Sequence, residues 1–337
     1  MPIFIATRGS ALALAQAKMI LEQCRAALPG EDFDLKIIKT TGDKLQTASM
    51  AAGDLPKGLF TKEIEEALLA GEADLAVHSL KDLPTQLPDG LKLGAVTARA
   101  DVRDVLIFRD LDHYISQTGS PGPVNQQRRA YRPALSLGAL PHDATIATSS
   151  TRRAAQARER RPDLKIVEIR GNVGTRLRKI FEQSELDATL LAAAGLQRLQ
   201  IQLTADGRLS GPDVPEGLSA TPISVGEMLP CVGQAAIGIE IRAHDPKLEA
   251  ICAALNHAPT MTCITAERAF LSAMGGGCNA AIGAYAELTG DQLRLRGVSY
   301  LHQQPRRAEA TLPAKDAVAL GQTLATLLTG DWKQPPT

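Results

Sequence analysis

Thr145-Ile146-Ala147-Thr148-Ser149-Ser150-Thr151-Arg152-Arg153 is the stretch on which the reading of the fold turns. Thr145–Ala147 suits a short strand, and the polar junction after it leads into a helix predicted from Thr151 to about Arg160. Ser and Thr at such a junction accept hydrogen bonds from the free N–H groups of the first helical turn. Lys165–Ile169 reads as the next strand, followed by a glycine loop, a helix from about Thr175 and a further strand at Ala188–Ala192. The same alternation lies upstream: a strand at Ile3–Ala6, a helix capped by Ser10 and running to about Ala27, a strand at Leu35–Thr40, a helix at Phe60–Leu69 and a buried strand at Asp74–His78. Strands alternating with helices in this way predict α/β domains whose sheets are covered by helices. Downstream, a helix around Thr262–Ala273, strands at Ala281–Leu288 and Gln292–Val298, and a helix near Ala314–Leu328 predict an antiparallel sheet covered by helices. The segment Val232–Glu240 reads as a turn, a helix start and a buried strand. Thr41–Lys57, His113–Pro141 and the tail after Thr329 read as mobile, the second as an exposed loop rich in Pro, Gly, Ser, Gln and Arg.

The chain's 337 residues suffice for two or three domains. Aromatic residues are only 3% of it, so its cores are aliphatic and base stacking on aromatic rings is a poor prospect. Lys+Arg and Asp+Glu both number 37, so an anionic partner must be met by local clusters of bases rather than by overall charge; nucleic acid and membrane are not expected partners. The five cysteines, Cys24, Cys231, Cys252, Cys263 and Cys278, include no C-x-x-C pair, and no metal-ligand spacing is present, so neither a disulfide framework nor a metal site is expected. With no apolar run of about 18 residues and a strand-like N-terminus, a cytoplasmic location is expected.

Three strand-to-helix junctions carry cations: Thr7-Arg8-Gly9-Ser10, Thr148-Ser149-Ser150-Thr151-Arg152-Arg153, and Arg170-Gly171-Asn172-Val173-Gly174-Thr175-Arg176. Helix N-termini favour anions, and arginine adds a fork matched to a carboxylate. Any one of these is ordinarily a helix cap and a solvated charge, whereas three together point to a ligand with several negative groups. In open α/β sheets such junctions fall at the carboxyl ends of strands, where ligands bind. His78-Ser79-Leu80-Lys81-Asp82 follows a buried strand; a carboxylate beside a cation there can act as general acid or base, the plainer reading being a surface Lys–Asp pair next to a core histidine. Cys278 stands in Gly275-Gly276-Gly277-Cys278-Asn279, where glycines leave a thiol accessible; the other cysteines read as small buried apolar residues.

Taken in order, these segments resemble the hydroxymethylbilane synthase (porphobilinogen deaminase) family over nearly the whole chain. The resemblance rests on Arg8–Ala13 with Gln16, Thr40–Asp43, Lys57–Glu63, His78–Thr85, the two arginine motifs, Ala194–Leu196, Val232–Glu240, Asn256-His257, Ala266–Arg268 and Gly276-Gly277-Cys278. It implies two periplasmic-binding-protein-like α/β domains and a smaller α+β C-terminal domain with an antiparallel sheet. Domain 1 would comprise residues 1–100 and 222–243, domain 2 residues 101–221 with an insertion at 113–141, and domain 3 residues 244–330. It implies a monomeric transferase of porphyrin and heme biosynthesis that joins four porphobilinogen molecules head to tail, releasing ammonia, on a dipyrromethane cofactor tethered to Cys278. Asp82 is the implied catalytic group. Lys81, Ser10, Thr148, Ser149, Ser150, Arg152, Arg153, Arg170 and Gly171 are implied at the cofactor, and Arg8, Gln16, Lys57, Lys62, Arg153 and Arg176 at the substrate. The product would pass to uroporphyrinogen III synthase. Ala235 stands where the family commonly has glycine, and Ala281 where it commonly has proline. The readings left beside this one are a non-catalytic polycarboxylate binder of periplasmic-receptor type, a cysteine hydrolase using Cys278, and an inactive paralogue.

Overall fold

The structure, a computed structural model, describes residues 2–42, 61–118, 129–277 and 279–330. Strand β1 (Ile3–Arg8) buries Ile3, Ile5 and Ala6, and Ser10 then accepts a hydrogen bond from Ala13 N to start α1 (Ala11–Ala27). Strand β2 (Phe33–Ile38), helix α2 (Lys62–Leu69), strand β3 (Leu75–Ser79) and strand β4 (Leu91–Val96) follow. The chain crosses between Ala100 and Asp101 into a second compact unit that ends at Pro230. That unit holds β5 (Asp104–Arg109), α3 (Leu111–Thr118), β6 (Thr145–Ala147), α4 (Thr151–Arg160), β7 (Lys165–Val167), α5 (Val173–Glu182), β8 (Ala188–Ala192), α6 (Ala193–Arg198), β9 (Gln202–Leu203), β10 (Leu209–Ser210) and β11 (Leu218–Pro222). Back in the first unit come β12 (Ile237–Arg242), α7 (Pro246–Leu255), α8 (Ala258–Ala273), β13 (Ile282–Thr289), β14 (Gln292–Ser299), β15 (Arg306–Pro313) and α9 (Ala317–Thr329).

The two large sheets share one plan. In the first unit the order is β2-β1-β3-β12-β4, with β1, β2 and β3 parallel and β12 antiparallel to both its neighbours. In the second it is β7-β6-β8-β5-β11, with β6, β7 and β8 parallel and β5 antiparallel to both its neighbours. In each sheet the antiparallel member is the first strand after the chain crosses from the other unit. Each parallel trio sends its carboxyl ends to one edge, and every cationic junction singled out in the sequence follows a strand of such a trio. The third sheet, β13-β14-β15, is antiparallel and packs its own apolar cluster, including Phe270, Leu293, Leu295 and Leu324, against α8 and α9.

Several boundaries differ from the sequence reading. Residues 222–230 belong to the second unit: Ile223 and Met228 pack with Phe108 and Ile146, and Arg152 and Gln156 both donate to the Leu229 carbonyl. The helix start expected after Val232 is absent; the chain makes turns there and enters β12 directly. The 113–141 segment is not loop throughout, because α3 covers its beginning and Leu137 and Leu140 are buried near its end. Most of Thr41–Lys57, the centre of the 113–141 segment and the tail from residue 331 lie outside the described residues.

Candidate active site

At the carboxyl edge of the first sheet, neighbouring β1 and β3 end in Arg8 and Ser79. The register Ile5↔Leu75 and Ala6↔Ala76 sets these ends side by side. Gln16, buried on α1, joins them: its Nε2 donates to Ser79 Oγ at 2.8 Å. Leu80, Lys81 and Asp82 then form a single turn of 3-10 helix. Leu80 is buried and fills space that a side chain at Gly233 or Gly238 would contest. Just beyond, Arg268 of α8 donates to the carbonyls of Leu83, Pro84 and Thr85 at 3.2, 2.6 and 3.2 Å. Asp82 is thus exposed on a turn clamped from two sides, and no described residue hydrogen-bonds to or pairs with its carboxylate. His78, by contrast, is buried and bonded to Glu240, the core histidine of the plainer reading.

The second unit holds its cations at the corresponding edge. Arg152 and Arg153 are buried and turn toward Asp104: Arg152 Nη1 lies 2.7 Å from Oδ2 and Arg153 Nη2 2.8 Å from Oδ1. Burial alone would raise the Asp104 carboxyl, but these two charges override it and hold it well below the usual carboxylate range. Two guanidiniums against one carboxylate leave this buried group with one net positive charge. Thr148 Oγ1 accepts from Ser150 N, Ser149 Oγ donates to the Ile169 carbonyl, and Ser150 Oγ caps α4 at Arg153 N. All three side-chain oxygens therefore shape the junction itself. Gly171 takes a positive φ of 115°, and its carbonyl accepts from Arg176 Nε at 2.8 Å. Burial, and then the like charge of Arg153, push the Arg176 guanidinium down. Arg170 is exposed and pairs with Glu168, and Lys62 is an exposed partner of Glu66. Lys57 and Cys278 lie outside the described residues.

Residues 3–250 match the family described as porphobilinogen deaminase, dipyromethane cofactor binding domain, and residues 261–330 match the porphobilinogen deaminase C-terminal domain. The chain belongs to the porphobilinogen deaminase family. A porphobilinogen deaminase of Paracoccus denitrificans (strain Pd 1222) is 42% identical to it, with 98% of this chain and 94% of that one covered. One from Roseiflexus sp. (strain RS-1) is 42% identical with 96% and 94% covered, and one from Synechococcus elongatus (strain ATCC 33912 / PCC 7942 / FACHB-805) 41% with 97% and 92%. Family membership makes the chain a transferase of porphyrin biosynthesis that uses a dipyrromethane cofactor, with porphobilinogen as the family's substrate.

The described residues fit such a cofactor. Its pyrroles carry carboxylates, and an anion beside Arg176 would offset both the burial and the crowding by Arg153 that depress that guanidinium. Gly275, Gly276 and Gly277 lead up to Cys278. A side chain at Gly277 would meet nothing within 4 Å, whereas one at Gly276 would strike Ile282 and Leu271 at 2.9 Å. The loop is therefore pinned at Gly276 and open at Gly277.

Sequence reasoning passed over Arg198 at the end of α6, beyond the third strand of the second parallel trio. Burial pulls its guanidinium down to about 10. The available signal is position, two residues beyond Ala194-Gly195-Leu196. Arg268 was likewise noted only as part of a motif.

Proposed function

We propose that Asp82 is the catalytic group of a hydroxymethylbilane synthase and that Cys278 carries its dipyrromethane. What supports the reading is the setting of Asp82: an exposed carboxylate with no described partner, fixed on a clamped turn at the carboxyl end of a parallel strand. When bound, the dipyrromethane supplies a nucleophilic pyrrole carbon and a covalent anchor for the four-unit product.

Asp82, hydrogen-bonded to the aminomethyl nitrogen of porphobilinogen, assists its departure as ammonia. The carboxylate then balances the positive charge left on the substrate's methylene carbon, and it is placed to accept the proton released when a new carbon–carbon bond has formed. Arg8, Lys81, Gln16 and Ser10 of the first unit, with Lys57 and Lys62, serve the acetate and propionate groups of the substrate and cofactor. In the second unit Arg170, Gly171 and Arg176 do so. Arg152 and Arg153 contribute the net positive charge they hold around Asp104, with Thr148, Ser149 and Ser150 fixing the loop beside them. A covalent anchor keeps each intermediate with the enzyme and raises its effective concentration. We divide the chain into three domains, the last, 244–330, carrying Cys278. We place the enzyme in the cytoplasm as a monomer that hands its product to uroporphyrinogen III synthase; no helix among the described residues is long and apolar enough to cross a membrane.

Replacing Asp82 by Asn tests the assignment. The variant is expected to fold and bind porphobilinogen but to turn over slower by about a hundredfold or more, the range for loss of a general acid–base group. Near-normal turnover would remove Asp82 from the mechanism, and a protein that only bound polycarboxylates would show no turnover to lose.

A further inference from the structure

Beneath the turn that carries Asp82 lies a buried titratable group the proposed mechanism does not use. His78 Nε2 is 2.9 Å from Glu240 Oε2, with His78 6% and Glu240 0% exposed. The register explains the contact. Gly238 of β12 lies directly opposite His78 and Ile237 opposite Ser79, so the imidazole meets the next side chain along the same face of β12, that of Glu240. The other oxygen of Glu240 and Oε1 of Glu65 are buried with no hydrogen-bond partner among the described residues. Burial first, and then the charge of Glu240, push the Glu65 carboxyl up, which places both acids at one buried locus.

A buried polar group this incompletely satisfied is a poor source of stability, since well-packed apolar side chains would often do as well or better. Its location supplies another role. His78 precedes Ser79, which holds Gln16, and stands four residues before Asp82. Leu80 N donates to the Ala236 carbonyl just before β12, so the turn hangs directly on the β3–β12 seam. We propose that His78 and Glu240 are positioning residues for Asp82, locking the end of β3 to β12 and so fixing where the Asp82 carboxylate stands. The proposal rests on the reading of Asp82 as the catalytic group.

The test uses the holoenzyme and porphobilinogen, with kcat and KM measured for Glu240→Ala, Glu240→Gln, Asp82→Asn and the double variant Asp82→Asn/Glu240→Ala. Circular dichroism checks the fold of each. Glu240→Ala is expected to lower kcat about tenfold or more with KM within about twofold, and Glu240→Gln, whose amide oxygen still accepts from His78, to recover most of the loss. In the Asp82→Asn background, Glu240→Ala is expected to cost less than about twofold more, because a residue acting through Asp82 has nothing left to position. An unchanged kcat in Glu240→Ala, or the full penalty repeated in the Asp82→Asn background, overturns the proposal. Near-normal turnover of Asp82→Asn alone instead overturns the reading of Asp82 on which it rests. Should Glu240→Ala fail to fold, His78→Asn breaks the same contact with a smaller loss of volume and carries the same comparison.

Discussion

Glu267 holds three separate stretches of the first unit, and replacing it by alanine is expected to destabilise the protein severely. Its carboxylate is fully buried and accepts four hydrogen bonds. Two come from Arg99, Nη1 at 2.6 Å and Nη2 at 3.0 Å; the others come from Gly233 N and Ala286 N, each at 2.9 Å. Arg99, its side chain 10% exposed, continues the network by donating Nε to the Gln234 carbonyl at 2.9 Å. Glu267→Ala leaves a buried guanidinium without its anion, a loss of about 3–5 kcal/mol. Each of the two backbone N–H groups orphaned with it costs a further ~1–3 kcal/mol unless water enters. A total of about 5 kcal/mol or more rivals the lower end of whole-domain stabilities, about 5–15 kcal/mol. Glu267→Gln keeps the shape but turns an NH2 group toward donors, so it is expected to lose most of the same energy. Urea unfolding followed by circular dichroism measures both. A loss below about 1 kcal/mol for Glu267→Ala would refute the reasoning, because it would mean the buried network is not holding these segments.

Three other expectations follow from particular residues. Ala235 adopts φ 73°, where a side chain costs about 1–2 kcal/mol; allowing for the greater freedom of glycine in the unfolded chain, about 0.4–1 kcal/mol, Ala235→Gly is expected to raise stability by about 0.5–1 kcal/mol, and a lowered melting temperature would contradict this. Asp104 has its folded-state pKa depressed, so its contribution is fully present above the unfolded value of about 4 and is lost as pH falls through the folded value; unfolding free energy should fall more steeply below about pH 4 in the wild type than in Asp104→Asn, and equal slopes would count against the Arg152–Asp104–Arg153 group. Burial pushes the thiols of Cys24 and Cys263 up to about 11 and that of Cys252 to about 12; at pH 8 they should be alkylated only as the protein unfolds, which peptide mapping against unfolding rate would check, native-state labelling of any of them being the contrary result.

The α/β alternation was legible because β1, β6 and β7 each run into a helix capped by a side chain, Ser10, Ser150 and Asn172. The strand that makes the second sheet mixed was harder. Asp104–Arg109 is buried at every residue, so it shows no period, and its two charged ends, Asp104 and Arg109, argue against a core strand until their partners are known. Arg109 is satisfied by the carbonyls of Arg129, Ile180, Gln183 and Leu186, contacts spanning up to 77 residues that no local pattern announces. The helix at Pro246–Leu255 was readable in principle, with Asp245 as its cap and proline at its start, and was passed over. At the site, Asp82 and the cationic junctions stood out in the motifs as candidates. That Arg152 and Arg153 turn inward to Asp104, 48 and 49 residues away, was not, nor was the pairing of His78 with Glu240 across 162 residues.

The tether is tested most directly by intact-mass spectrometry of the purified wild type and Cys278→Ser, before and after porphobilinogen is added. The account predicts a wild-type mass higher by one dipyrromethane, a ladder of single pyrrole additions once substrate is present, and neither in Cys278→Ser. A wild-type protein at its bare polypeptide mass, or an adduct that survives the loss of the Cys278 thiol, would contradict it.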